Sequence, residues 1–258
     1  MTKNQAFTIL QRYGGIRAAR IITENTKKLS KIKVWYMAYL LRHSTPVAKI
    51  IHKKWFYGLP FYTNRHTLDP RPDTETLVSA VISDCTTNRP RRILDLGTGT
   101  GCIICSLIKN IPSASGMAID ISRSALRVAK RNVKDLGLKH LVKLKRTDFH
   151  SPHKIKEKFD IIVSNPPYIA KNDPRVNDGA MHDPKIALYA DNNGLAAYET
   201  IAQNAKNWIN SHGKIYIEIG IDQGAPIKQI FSEHNWTFIE SKTDLGGIER
   251  VLIFRYKK

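Results

Sequence analysis

The chain has 258 residues, 42% hydrophobic and 24% charged, a composition that excludes a disordered or fibrous protein and allows one sizeable core with a smaller unit beside it. Its longest apolar run, Val34–Leu41, is far short of the roughly twenty residues of a bilayer-spanning helix, so no membrane partner is expected. The formal net charge of +19 fits an acidic partner, most simply ribosomal or other RNA against a basic surface, or else a Lys-, Ile- and Asn-rich composition with no partner behind it.

Residues 1–56 read as a small basic helical domain; residues 1–58 hold twelve Lys and Arg against one acid, Glu24. Gly14-Gly15 predicts a break between helices. Ser30–Leu41 sets Ile32, Trp35, Tyr36, Ala38, Tyr39 and Leu40 at mixed helical spacing. Thr45 before Pro46 reads as an N-cap and first-turn proline opening a short helix to about Lys53. This Arg/Lys-rich start suits a cytoplasmic protein or, as a transit peptide, an organellar one. Residues 57–72 change character: aromatics flank Gly58, and the stretch reads as a hairpin-like connector. Asp73 then has the chemistry of an N-cap, with a helix to about Asp84 burying Leu77, Val78, Val81 and Ile82.

Residues 73–258 form the main domain. Strands are expected at about Arg92–Leu96, Met117–Asp120, Val142–Lys145, Phe159–Ser164, Lys214–Ile219, Trp236–Glu240 and Arg250–Phe254. Helices are expected at Cys102–Lys109, Ser122–Leu136, Asn193–Asn210 and Asp222–His234. That alternation predicts an α/β fold with a doubly wound, mostly parallel seven-stranded sheet. The last two strands are joined by a loop too short for a crossover, so that pair should be antiparallel. Residues 170–192, polar and rich in Asp, Asn and Pro, read as a functional lid. Cys102-x-x-Cys105 lacks a second pair and reads as two packing residues; the three cysteines imply no disulfide framework and a reducing compartment. His150-x-x-His153 lacks a carboxylate at suitable spacing and reads as surface histidines, so no metal is expected.

The chemistry gathers at strand ends. Asp95-Leu96-Gly97-Thr98-Gly99-Thr100-Gly101 follows the first strand and opens a helix. Its glycines allow a close ligand approach, while Asp95 repels phosphate and attracts a cation such as an ammonium or sulfonium. Asp120 ends the next strand, where an acid accepts from ribose hydroxyls or caps a helix. At Thr147-Asp148-Phe149, Asp148 can accept from an adenine amino group while Phe149 packs on the ring. Phe159–Ser164 is apolar on both faces, and Asn165-Pro166-Pro167-Tyr168 ends it in a stiff loop. The Asn165 carboxamide and Pro166 carbonyl present acceptors and Tyr168 a flat face, a site suited to a planar NH2 group. Arg71, beside Glu75, is a candidate to steer a carboxylate of the substrate or cap a helix.

Together these residues resemble a class I, Rossmann-like methyltransferase that uses S-adenosylmethionine and acts on a planar nitrogen. From residue 46 onward the chain is more closely similar to the peptide chain release factor glutamine methyltransferases (HemK/PrmC type). Pro70-Arg71-Pro72-Asp73-Thr74-Glu75, Asn165–Tyr168, Gly194-Leu195 and Gly247-Ile248-Glu249-Arg250 carry that likeness. The resemblance implies methyl transfer to the glutamine of the GGQ loop in class I release factors. It implies cofactor contacts at Gly97, Thr98, Gly99, Thr100, Gly101, Asp120, Phe149 and Asn165, with Asp95 and Asp148 added from the residues themselves. It also implies a glutamine pocket of Asn165, Pro166, Pro167 and Tyr168, and a helical N-terminal domain joined by a β-hairpin. The chain departs from the family pattern at Asp73, Asp183 and Asp191-Asn192. Other readings are a methyltransferase acting on a ribosomal-protein glutamine or a nucleic-acid base, and a non-catalytic ribonucleoprotein-binding module.

Overall fold

Caps decide where the N-terminal helices begin. Thr2 and Gln5 exchange side-chain bonds with each other's backbone, a capping box that opens α1 (Lys3–Asn25). Gly15, with φ of 75°, kinks α1 where the paired glycines predict a break. Ser30 caps α2 (Lys31–Arg42). The next helix, α3 (Val47–Ile51), is shorter than expected: His52 turns left-handed, and Pro46 rather than Thr45 holds the N-cap, without a side-chain bond. Leu10, Ile22, Val34, Met37, Leu41 and Ile50 pack into a cluster belonging to these helices alone. β1 (Lys54–Phe56) and β2 (Leu59–Phe61) then pair antiparallel as a hairpin around Tyr57-Gly58. Phe56 and Phe61 are plugged into the main core.

The structure, a computed structural model, describes residues 1–85, 91–171, 173 and 182–257. After α4 (Thr74–Asp84) come β3 (Arg91–Leu96), α5 (Cys102–Asn110), β4 (Ala114–Asp120), α6 (Arg123–Asp135), β5 (Val142–Arg146) and β6 (Phe159–Ser164). Then follow α7 (Lys185–Leu188), α8 (Ala196–Ala205), β7 (Ile209–Glu218), α9 (Gly224–Glu233), β8 (Trp236–Thr243) and β9 (Glu249–Tyr256). The sheet order is β5-β4-β3-β6-β7-β9-β8, with β3 to β7 parallel and β9 antiparallel to both neighbours. Successive residues feed opposite faces: Ile93, Ile161, Val163 and Tyr216 join one core, while Leu94, Ile162, Ile215 and Ile217 join the other. Cys102 and Cys105 are free and buried in the first of these cores. Among the described residues no helix is long and apolar enough to cross a membrane.

Local chemistry moved several boundaries. Asp73 makes no capping bond; its carboxylate lies 3.1 Å from Arg250 on β9. α8 starts later than expected because Asn192, Asn193 and Gly194 all have positive φ, which no helix continues through. β7 begins at Ile209, five residues early, with a register shift against β6. Of the expected lid, residues 172 and 174–181 lie outside the described residues.

One buried ion cluster joins the N-terminal helices to the main unit. Lys49 of α3 lies 2.9 Å from both Asp69 and Asp183, and Asp183 also accepts from Arg71 at 2.6 Å. Lys49 donates as well to the Asn64 and Thr67 carbonyls. Removing Lys49 leaves buried Asp69 without a counter-charge and Asp183 with Arg71 alone, and breaking a buried pair in this way costs about 3–5 kcal/mol. Lys49→Met should therefore lower the urea midpoint by a large fraction of the total stability, and exposed Lys28→Met should not.

Candidate functional site

The strand order reverses between β3 and β6, because β3 leads out to β4 and β5 while β6 leads the other way to β7. Leu96 pairs with Ser164, and the Ser164 hydroxyl donates to the Leu96 carbonyl at 2.9 Å. The glycine loop after β3 and the Asn-Pro-Pro-Tyr corner after β6 therefore emerge side by side, at the crevice where open α/β sheets take ligands.

A cavity of about 300 Å³ fills that crevice. Gly97, Gly99, Asp120, Asp148, Phe149, Asn165 and Pro167 line it, seven of the expected residues brought together. Gly97 and Gly99 have positive φ, and nothing lies within 4 Å of where a Cβ would project, so the loop leaves a cradle. Asp120 ties this loop to the next turn, accepting from the Gly99 amide at 2.9 Å and the Ser122 amide at 2.8 Å. Burial pushes its carboxyl above the usual range. The Ser122 hydroxyl caps α6. At the far end Phe149 stacks on His150, whose ring nitrogen lies 2.6 Å from Asp148. The Thr147 hydroxyl, also in the lining, is buried without a partner among the described residues. A glycine cradle, a central carboxylate, an aromatic wall and an unused hydroxyl fit a nucleoside with a short tail.

Asn165 stands at the other end, and its orientation is fixed from behind. Its Nδ2 donates to the Thr74 hydroxyl at 3.0 Å. The Thr74 and Asn165 side chains are also the hydrogen-bonding neighbours of Glu218, the buried last residue of β7. Asn165 thus uses its amide hydrogens on the scaffold, leaving Oδ1 as its acceptor for a ligand. Burial raises the Glu218 carboxyl to about 7, and its Oε2 has no partner among the described residues. Burial likewise raises the Tyr168 phenol to about 12, so it stays neutral. Gln223 pins the corner, donating to the Tyr168 carbonyl at 3.0 Å while accepting from the Gly220 amide at 3.0 Å. Gly194 packs against that same carbonyl so closely that a Cβ would collide with it.

The remaining expected residues lie outside the lining. Asp95 is fully buried beneath the loop and accepts from the Thr98 hydroxyl at 2.5 Å; burial lifts its carboxyl to about 7. Its place in the structure is as a prop for the loop rather than a wall of the cavity. Thr98, Thr100 and Gly101 shape the turn into α5, and Asn132 clamps the Thr100 and Tyr62 carbonyls together. Pro166 is buried, and Tyr168 packs against the second core. Arg71 pairs with Asp183, and Glu75 accepts from the Tyr57 amide at 2.8 Å, holding the hairpin. Thr74, Glu218, Gln223 and the wall residues Ile186 and Tyr189 were not anticipated. Glu218 had a signal: it is an acid at the carboxyl end of a buried strand, like Asp120.

The family described as "Methyltransferase small domain" matches residues 71–183. The chain is 41% identical over 219 residues to the release factor glutamine methyltransferase of Agrobacterium fabrum, covering 81% of this chain and 74% of that one. It is 38% identical over 246 residues to the bifunctional methyltransferase of Rickettsia felis, covering 83% of this chain but only 46% of that longer protein. Among solved structures, the delta-N METTL16 MTase domain superposes with a TM-score of 0.59 at 18% identity, covering 78% of this chain and 90% of that one, a likeness of fold.

Raised carboxyls give the stability of this site a sign with pH. Glu218 ionises near 4.5 when unfolded and near 7 when folded, so between those values the folded state holds the extra proton. Its penalty is absent below 4.5, grows as pH rises, and is complete above about 7. Glu218→Gln removes it. The urea midpoint of the variant should gain on that of the parent between pH 5 and pH 8; parallel pH profiles would show that Glu218 does not titrate there.

Proposed function

The chain belongs to the release factor glutamine methyltransferase family, and on that premise we propose that it methylates the side-chain nitrogen of the glutamine in the GGQ loop of a class I release factor. The observation that carries the reading is Asn165, lining the cavity with its amide nitrogen tied back to Thr74. S-adenosylmethionine, the donor proposed for the cavity, would supply an electrophilic methyl carbon on a sulfonium. Gly97 and Gly99 would hold its backbone-like tail, Asp120 its ribose hydroxyls, and Asp148 and Phe149 its adenine. Thr98, Thr100, Gly101 and Asp95 would keep the loop in shape.

An amide nitrogen is a weak nucleophile because its lone pair is delocalised into the carbonyl. Oδ1 of Asn165 and the Pro166 carbonyl would accept the two hydrogens of the target NH2, fixing the nitrogen in line with the electrophile and favouring its pyramidalisation. Pro166 and Pro167 hold those acceptors on a stiff backbone, and Tyr168 would cover the amide plane. The hydrogen-bonding contacts of Glu218 and Thr74 with the Asn165 carboxamide would strengthen Oδ1 as an acceptor. Arg71, paired with Asp183, and Glu75, bonded to the Tyr57 amide, would bear on the substrate through the frame that they hold.

Incubation with labelled donor and purified release factor, its GGQ→GGA variant, ribosomes and free RNA tests the substrate. Label on the first alone is expected; label on the GGA variant or on RNA contradicts the reading. Asn165→Ala should lower kcat at least about 100-fold, the scale for losing one preorganised hydrogen-bonding group. Its donor affinity by calorimetry should stay within about threefold, and near-normal turnover would remove Asn165 from the chemistry.

A further inference from the structure

Helix α2 has two apolar faces, and among the described residues only one is packed into a core. Val34, Met37, Ala38 and Leu41 are buried in the N-terminal cluster. At 100° per residue the opposite face carries Ile32, Trp35, Tyr36 and Tyr39, spaced i, i+3, i+4 and i+7. They are 85, 47, 60 and 57% exposed. Single exposed apolar residues need no explanation, whereas a continuous row on one face marks an interaction surface. His43 extends the row, its ring centroid 4.4 Å from that of Tyr39. Helical geometry sets Lys33 on one flank of the row and Lys31 and Arg42 on the other.

We propose that this face of α2 binds single-stranded RNA, with bases stacked on Trp35, Tyr36 and Tyr39 and phosphates held by the flanking cations. Composition decides for RNA over a protein helix. Three of the four residues are flat rings with polar edges, which suit the face of any base, and the cations that flank them suit its phosphates. Besides the buried Lys49, eleven cations against one acid in residues 1–58 favour a polyanion. From Ile32 to Tyr39 the row is about 10 Å long at 1.5 Å per residue, room for about three stacked bases. The substrate glutamine has no part in this argument, so the surface stands or falls separately from the methyl-transfer reading.

The test titrates the full chain into a fluorescein-labelled twelve-nucleotide single-stranded RNA of mixed sequence, followed by anisotropy. Binding should weaken with salt, with a log–log slope of about −2 for three cations. The triple variant Trp35→Ala/Tyr36→Ala/Tyr39→Ala should raise Kd at least about tenfold. Its thermal midpoint and its methyl transfer to isolated release factor should match the parent, because these side chains lie outside the core and the cavity. RNA should quench tryptophan fluorescence in the parent and much less in Trp35→Phe. A flat titration overturns the proposal, and so does a triple variant that binds RNA as well as the parent, since charge alone would then account for binding. If the triple variant keeps its RNA affinity but raises KM for the release factor, the face is a protein-docking surface and the proposal is wrong.

Discussion

A carboxylate buried at the end of a central strand has to be satisfied, and the site is arranged around what satisfies Glu218. Its side chain is buried, and the neighbouring hydroxyl and carboxamide, Thr74 and Asn165, are its hydrogen-bonding neighbours. Those two side chains come from α4 and from the loop after β6, 91 positions apart in sequence. Satisfying one carboxyl therefore locks three elements together and sets the rotation of a carboxamide facing the cavity. The same strand end places Gln223, which holds the Tyr168 carbonyl. The corner is rigid because its prolines limit its own backbone and because β7 grips it from behind.

The parallel sheet was legible because its central strands are buried on both faces, and continuous runs such as Ile161-Ile162-Val163 leave no competing period. The cavity was legible because parallel strands deliver their carboxyl ends to one edge, so Asp120, Asp148 and Asn165 converge whatever the connecting helices do. Side chains that act on the frame were harder to read. Asp73 looks like a cap but answers to Arg250, 177 positions later, and Glu75 beside it serves the hairpin. Asp95 invites a role against a cation, but burial makes it a prop for Thr98. Long-range pairings of this kind leave no local pattern. Glu218 did leave one, and the strand-end rule that found Asp120 finds it too when applied to β7.

The N-terminal helices obey the same physics at a smaller scale. A core of short aliphatics and alanines closes α1 to α3, and Lys49 fastens them to the main unit through two buried carboxylates. Burial of Lys49 leaves the remaining cations of that region at the surface with α2's aromatic row. More than half of the net charge of +19 thus lies in the first 58 residues, away from the strand ends that form the cavity.

The central claim is that Asn165, oriented from behind, is the acceptor that positions a target amide. A crystal structure with S-adenosylhomocysteine and a Gly-Gly-Gln peptide tests it most directly. The account predicts the glutamine nitrogen about 3 Å from Asn165 Oδ1, a hydrogen-bonding distance, with the nucleoside lying between Asp120 and Phe149 and Nδ2 still on Thr74. A glutamine held elsewhere, or an Asn165 carboxamide turned so that its nitrogen meets the peptide, would contradict it.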